Sequence, residues 1–157
     1  MKLYAWMAGC WFSSMQMTLI YSMSFLHSAT FPAYLSVMFS WFLGSALGCW
    51  LPSTLPSTTL MILAATAHLL NTILLSSDWM VFSWIAAAML GGLAGGHWVR
   101  RWGERELAYV LSWESVGLAS GFLFASLGIY AFGLATIYFV PIWVTLALIW
   151  RERGLYA

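Results

Sequence analysis

The sequence WMVFSWIAAAMLGGLAGGHWVRRWGERELAYVLSWESVGLASGFLFASL occupies residues 79–127 and contains most of the pattern from which the architecture can be inferred. Two apolar runs, 79–99 and 107–127, flank the charged segment RRWGERE at residues 100–106. A helix of about 20 apolar residues crosses a hydrocarbon core of roughly 30 Å. The pattern therefore predicts two transmembrane helices joined by a short charged loop.

The rest of the chain continues this pattern. The segment PSTLP at residues 52–56 ends one apolar run, and Gly128 and Gly133 bracket the turn before the last one. The remaining predicted spans cover about residues 4–26, 31–51, 57–76 and 131–150. We therefore predict one all-α domain over residues 1–157, an integral membrane bundle of about six transmembrane helices with the bilayer as its first partner.

Composition excludes several functional classes. Only 7% of the residues are charged and 62% are hydrophobic, against roughly 25% charged in ordinary soluble domains. The net charge of +1 provides no basic surface for nucleic acid. Cys10 and Cys49 lack metal-ligand spacing, and no hydrolase, metalloprotease or phosphate-loop motif is present. We therefore predict a protein that is not an enzyme, with no catalytic residue and no metal site.

All six basic residues fall on one predicted side of the bundle. Six crossings put both termini on the same side, which then carries Lys2, the three arginines of segment 100–105, and Arg151 with Arg153. Lys and Arg near helix ends concentrate on the cytoplasmic side of membranes. We therefore expect a multi-pass protein of a bacterial inner membrane with both termini in the cytoplasm. Five tryptophans near predicted span ends are typical of an interfacial belt: Trp6, Trp50, Trp79, Trp98 and Trp150.

Glycines spaced four residues apart predict where helices meet closely, because small residues let two backbones approach in a membrane. The pairs are Gly44 with Gly48, Gly91 with Gly95, Gly92 with Gly96, and Gly117 with Gly121. They place predicted helices 2, 4 and 5 in a tight centre. The pairs in helices 2 and 5 occupy corresponding places in two three-helix halves, which indicates a 3+3 inverted repeat.

Four polar residues lie inside the predicted spans. Glu114 is roughly 10 Å inside the membrane, where an acid is costly; a structural hydrogen bond, a cation or proton site, and a contact to a partner subunit are the open interpretations. Gln16 in helix 1 is a candidate to add to a polar centre with Glu114, although one sequence does not show which helix faces converge. His68 and Asn71 share one face of helix 3 and predict interhelical hydrogen bonding, with haem or quinone contact as the alternative. We predict no cofactor, since the three histidines lie at unmatched depths for bis-His haem, and we expect His97 at the interface.

Two segments resemble known families. GHWVRRWGER at residues 96–105 resembles the GxxxDRxGRR loop motif of major facilitator transporters: Gly96, Arg101, Gly103 and Arg105 match, while Arg100 stands where the family has Asp. FLGSALGC at 42–49 and YVLSWESVGLASG at 109–121 resemble helices of the membrane domain attached to some bacterial spermidine synthase-like proteins. The resemblance implies a six-helix unit like half of a facilitator, and aminopropyl transfer is not implied, because the soluble catalytic domain of that family is absent.

These observations leave three functional interpretations. The first is a noncatalytic membrane subunit that anchors or stabilises a larger inner-membrane complex. The second is a half-size, facilitator-like transporter of a small solute that acts as a dimer and uses Glu114. The third, motivated by His68 and the many aromatic residues, is an electron-transfer subunit associated with haem or quinone. Partners are therefore expected to be other membrane subunits or a second copy of the chain.

Overall fold

In the residues that are described, the protein forms five helical elements and no strand. The computed structural model describes residues 2–26, 31–52, 54–73 and 80–156, and the side chains of 103–107 and 152–156, among a few others, are outside that description. The elements are α1 (Lys2–Leu26), α2 (Phe31–Gly48), α3 (Ser57–Ile73), α4 (Met80–Phe132) and α5 (Leu134–Tyr156). The predicted all-α class is confirmed. The prediction for Trp79 lies outside the described residues.

The charged segment predicted as a loop is helical instead. The backbone of α4 is helical from Met80 to Phe132, through residues 100–106. The sequence prediction of separate spans at 79–99 and 107–127 with a loop between them was therefore wrong in its local structure. The physical reason is composition, because Arg, Glu and Leu are strong helix formers, and the single glycine in this segment, Gly103, does not offset them.

α4 nevertheless reverses direction, as its contacts with α1 show. The ring of Tyr4 lies 6.5 Å from Trp98 and 5.4 Å from Trp102, centroid to centroid. Further along α1, Phe12 lies against Gly95. Later residues of α1 thus contact earlier residues of α4, so these two segments are antiparallel.

The later part of α4 runs the other way. Gly117 meets the backbone of Trp6, and Gly121 meets the backbone of Cys10. Residue numbers increase in the same direction along both segments here, so this segment is parallel to α1. We call residues 80–102 the first arm of α4 and Ala108–Phe132 the second arm; the direction changes between them.

The other elements alternate in direction in the same way. α2 is parallel to the first arm, since Gly44 meets Met89 and Gly48 meets Leu93. α3 begins beside the end of that arm, where Ser57 bonds to His97. Gly133, with φ +64°, turns the chain from the second arm into α5. The result is six helical segments that alternate in direction.

One end of this bundle collects the basic residues. Lys2 begins α1 at the level of Tyr109 and Trp113, whose rings lie 5.7 Å from its ammonium group. Arg100, near the end of the first arm, lies beside the α2–α3 connection. α5 descends past Trp11, which bonds to Thr145, toward the same end. We call this the basic end.

The two closest helix pairs are built alike. In each pair, a Cβ added to a glycine would meet a backbone carbonyl oxygen and then a backbone nitrogen four residues later. Where α2 packs against the first arm, Gly92 meets the O of Trp41 and the N of Ser45, and Gly44 meets the O of Met89 and the N of Leu93. Where α1 packs against the second arm, Gly9 meets the O of Glu114 and the N of Leu118, and Gly117 meets the O of Trp6 and the N of Cys10. Both pairs are therefore held by direct backbone contact at glycine.

Large apolar side chains cover the outside, while many polar ones lie inside. Tyr130 is 92% exposed and Trp50 is 86% exposed. Among the described residues, one helix, Ala108–Phe132, is long and apolar enough to cross a membrane, and Tyr34–Gly48 and Tyr138–Arg151 are shorter apolar helices. Trp98, which was expected in an interfacial belt, is fully buried against Tyr4 and Phe12, so that prediction was wrong.

Candidate functional site

The reversal of α4 creates a cavity between four helical segments. Its volume is about 440 Å³, within the range of ordinary small-molecule pockets. Its walls come from α1, α2 and both arms of α4, and the lining residues are Phe12, Gln16, Trp41, Ser45, Ala46, Cys49, Gly95, Gly96, Val99, Glu114 and Leu118. In a straight helix Gly96 and Glu114 would be about 27 Å apart, so the fold-back is what brings them to one cavity.

Glu114 is the only charged residue in this wall. It is 8% exposed and belongs to the face of the second arm that Gly117 presses against α1. Within the part of the chain that the structure describes, its carboxylate makes no hydrogen bond and no salt bridge. A buried carboxylate without such partners is costly, which marks this side chain as the chemical centre of the cavity.

Gln16 provides the second uncommitted polar group. It lies one turn beyond Phe12 on α1, and the described residues offer its amide no hydrogen bond. The other polar side chains in the wall are already engaged: Ser45 donates to the carbonyl of Trp41 at 3.0 Å, and the Cys49 thiol contacts the carbonyl of Gly96 at 3.6 Å. Two predicted site residues, Glu114 and Gln16, are thus brought together as the polar groups available to a ligand.

The rest of the wall is mainly apolar and includes two aromatic side chains, Phe12 and Trp41. Phe12 packs edge-on against Trp98, with 6.0 Å between ring centroids, and lies 3.6 Å from a Cβ built at Gly95. Trp41 is 5% exposed and its ring packs against Gly91. These contacts fix the aromatic side chains, so the cavity has a rigid apolar wall beside one carboxylate.

The basic residues near the cavity hold the α2–α3 connection in place. The Arg100 guanidinium donates to the carbonyls of Cys49 and Leu51 at 2.8 and 2.9 Å, and Arg101 donates to Leu55 at 2.8 Å. The last carbonyls of a helix lack partners within it, and Arg100 supplies donors for this end of α2. The surroundings of Gly103 and the side chain of Arg105, the remaining matches to the facilitator-like motif, lie outside what the structure describes.

His97 is a buried link and not the interfacial residue that we expected. It is fully buried, and its Nε2 lies 3.1 Å from the carbonyl of Pro52, which can only accept a hydrogen bond. The proton is therefore on Nε2, and in the neutral ring Nδ1 accepts from the Ser57 hydroxyl at 3.0 Å. The ring joins the first arm to the start of α3 because it satisfies both groups.

His68 and Asn71 form a second polar region away from the cavity. Both are buried on α3, at 0% and 2% exposure, and the His68 ring lies 6.2 Å from that of Tyr138 on α5. No described side chain or backbone group hydrogen-bonds the Asn71 amide. The structure thus separates these two residues from Glu114 and Gln16, although all four were predicted as one class of candidates.

Most of the predicted packing glycines make the contacts expected of them. A Cβ would collide with a neighbouring helix backbone at six of them, listed here: Gly44, Gly48, Gly92, Gly96, Gly117 and Gly121. Gly121 meets both the Ser13 hydroxyl and the Cys10 backbone, and Gly91 meets only the Trp41 ring. Gly95 is the exception, because its nearest neighbour is at ordinary van der Waals distance.

Sequence reasoning missed Gly9 and with it the central position of α1. Gly9 meets the backbone of Glu114, so α1 joins α2 and both arms of α4 in the tight centre. The missed signal was the spacing of Ala5, Gly9 and Ser13, which repeats a small residue every four positions. A search restricted to glycine pairs does not find this pattern.

Comparison with known proteins gave no match: no protein-family model fits the chain, and neither a curated protein nor a solved structure is significantly similar to it. Among the side chains that the structure describes, no group of three or more His, Cys, Asp or Glu is placed to hold a metal ion.

Proposed function

We propose that this chain is a six-span integral membrane protein of a bacterial inner membrane. The outward apolar side chains support this, because soluble monomers rarely expose contiguous apolar patches of more than a few hundred Å². Phe31, Phe82 and Phe132 are each at least 64% exposed, whereas His68, Asn71 and Glu114 are buried. This distribution suits a lipid surround, where apolar groups face outward and polar groups face the bundle.

The six segments are proposed to form two inverted halves. α1 to α3 are the first half, and the first arm, the second arm and α5 are the second. The matched glycine contacts support this arrangement, because α1 meets the second arm of α4 through the same backbone atoms by which the first arm of α4 meets α2. The basic end then faces the cytoplasm by the positive-inside rule. Gly92 corresponds to Gly9 in this scheme, and Trp41 corresponds to Glu114.

Within that architecture, we propose a half-size transporter that binds a small solute and acts as a dimer. The observation that carries this proposal is the buried side chain of Glu114 in the wall of a 440 Å³ cavity that Gln16 also lines. Transporters of inverted-repeat design bind solutes where the halves meet, and this cavity is lined by helices from both halves. Cys49, which is exposed, lies in its wall toward the basic end.

A noncatalytic subunit is the second candidate, and the second arm of α4 favours it. Only 17% of the residues in the apolar stretch of this arm are buried. Val116, Leu123 and Leu127 are all more than half exposed on this arm. A helix so little covered by its own bundle has a large face for lipid, for a second copy, or for a different membrane subunit.

A paired labelling experiment tests the topology. In a variant with Cys10 and Cys49 replaced by Ala, single cysteines are placed at Tyr130 and Trp150, which are 92% and 77% exposed at opposite ends of the bundle. In intact cells, an impermeant maleimide is expected to label Tyr130→Cys and to reach Trp150→Cys only after permeabilisation. Labelling of Trp150→Cys from outside would contradict six spans with a cytoplasmic C-terminus.

Reconstitution tests transport. Purified protein in liposomes is offered three labelled probes of similar size, one organic cation, one neutral polyol and one carboxylate. We expect saturable flux of at least one probe that is lost in Glu114→Gln and retained in Ser115→Ala, a change at the exposed neighbouring position. Absence of flux of all three from correctly inserted protein would reject transport and favour the subunit.

A further inference from the structure

The wall of the cavity constrains the charge of what it binds. Glu114 is its only charged side chain, and the described residues provide no cation within bonding distance of that carboxylate. Lys2, on the neighbouring α1, lies over the rings of Tyr109 and Trp113, and Arg100, on the first arm, is engaged by the carbonyls of Cys49 and Leu51. No described side chain therefore supplies a compensating positive charge to this carboxylate, and a cationic ligand can supply it.

The same wall constrains how much charge the ligand carries. One carboxylate neutralises one positive charge, and among the described lining residues a second ammonium group would meet Gln16, Ser45, Cys49 and apolar side chains. Placing that second charge against such a wall without a counter-ion is unfavourable. The cavity therefore favours a monocation over a dication.

The uncharged part of the wall constrains the rest of the ligand. Phe12 and Trp41 offer aromatic surface, to which both apolar groups and cations are attracted. Gln16 offers a carbonyl oxygen that can accept from an N–H group. The volume of about 440 Å³ exceeds that needed for a bare inorganic ion and suits a molecule with an apolar body.

Resting on the transport function proposed above, we infer that the cavity binds an organic monocation: an apolar body that carries one primary or secondary ammonium group, with the ammonium against Glu114 and the body against Phe12 and Trp41. The ammonium donates to the carboxylate. The aromatic wall excludes water from the bound body, so charge and apolar surface are recognised together.

Calorimetric titration of the full chain in lipid nanodiscs tests this inference. The probes are phenethylammonium, its neutral counterpart phenethyl alcohol, and the dication 1,4-diaminobutane. We expect phenethylammonium to bind at least about 10-fold more tightly than either of the other two, the factor that follows from one charge-assisted hydrogen bond in a buried site. Equal binding of the alcohol would overturn the role of charge.

Two substitutions separate recognition from folding. Glu114→Gln is expected to weaken phenethylammonium binding by about 10- to 100-fold, and Glu114→Asp is expected to keep most of it. Gln16→Glu adds a second carboxylate to the cavity and is expected to raise diamine affinity by about 10-fold or more, a gain that a misfolded protein does not show. No change in the diamine preference would overturn the monocation assignment.

The same proteins in liposomes distinguish the two proposals. Phenethylammonium binding that depends on Glu114, without flux of any probe, would retain the site and reject transport. Flux of the neutral polyol or the carboxylate that persists in Glu114→Gln would retain transport and reject the cation site.

Discussion

The two glycine-packed helix pairs share one backbone geometry and differ in chemistry. In the pair formed by α2 and the first arm, Gly92 rests on the backbone of Trp41; in the pair formed by α1 and the second arm, Gly9 rests on the backbone of Glu114. The Trp41 ring packs against Gly91 and forms part of the apolar wall of the cavity, whereas Glu114 contributes the carboxylate of that wall. The glycines fix the crossing through main-chain contact, so the side chain at the equivalent position is free to differ: it provides buried aromatic packing in one pair and a charged group in the other.

The largest expected effect comes from removing the side chain in the pair where it serves stability. Trp41→Ala is expected to lower the free energy of unfolding by about 3 to 5 kcal/mol, the usual loss for a buried aromatic side chain. Glu114→Gln at the equivalent position is expected to change it by less than about 1 kcal/mol, because no described group pairs with the carboxylate. Thermal unfolding in detergent, followed by tryptophan fluorescence, compares the two. Similar losses at both positions would break the distinction.

Glycine substitutions test whether the two pairs are equivalent in their backbones. Gly9→Ala and Gly92→Ala each place a Cβ on a facing carbonyl oxygen, so each is expected to cost about 1 to 3 kcal/mol, and by similar amounts. Gly95→Ala is the matched control, since its nearest contact would be 3.6 Å from Phe12, and it is expected to cost little. The same unfolding assay applies. Tolerance of Gly9→Ala with damage from Gly92→Ala would show that only one pair is tightly packed.

A smaller effect distinguishes the pairs at the basic end. Arg100 donates two hydrogen bonds to the chain at the end of α2, whereas Lys2 lies over two rings of the second arm. Arg100→Gln is expected to cost about 1 to 2 kcal/mol and to increase amide hydrogen exchange at residues 49–55. Lys2→Gln is expected to cost less than about 1 kcal/mol, as exposed cation–π contacts do. The expected order would be reversed if Lys2→Gln increased amide hydrogen exchange in the second arm by more than Arg100→Gln increases it around Cys49.

The sequence predicted the helical class and most of the close contacts, because apolar run length and small-residue spacing report directly on helices that pack through their backbones. Gly44, Gly48 and Gly117 were identified this way, and all three meet a neighbouring backbone. The helical backbone at 100–106 was missed, because charged residues between apolar runs were interpreted as a loop although their intrinsic helix propensity is high.

The cavity could be predicted only in part. Glu114 and Gln16 were singled out because polar side chains are costly in an apolar helix, but they lie on different helices, and one sequence does not state which faces converge. The links made by Arg100 and His97 to the α2–α3 connection were also hidden, because their acceptors are the backbone carbonyls of Cys49, Leu51 and Pro52. Backbone acceptors leave no residue-type signal in a sequence.

The reversal of α4 is the central claim, since the cavity and the pairing of α1 with the second arm depend on it. A distance measurement between spin labels tests it most directly, with labels at Phe82→Cys and Tyr130→Cys in a variant whose Cys10 and Cys49 are replaced by Ala. Both positions are exposed, at 64% and 92%, and lie toward the end opposite the basic end. Pulsed electron paramagnetic resonance in nanodiscs is expected to give a distance below about 35 Å, because antiparallel neighbours in a bundle pack 8 to 10 Å apart and the labels add their own reach. A distance near 72 Å, which 1.5 Å per residue gives for one straight helix, would contradict the fold-back and with it the cavity.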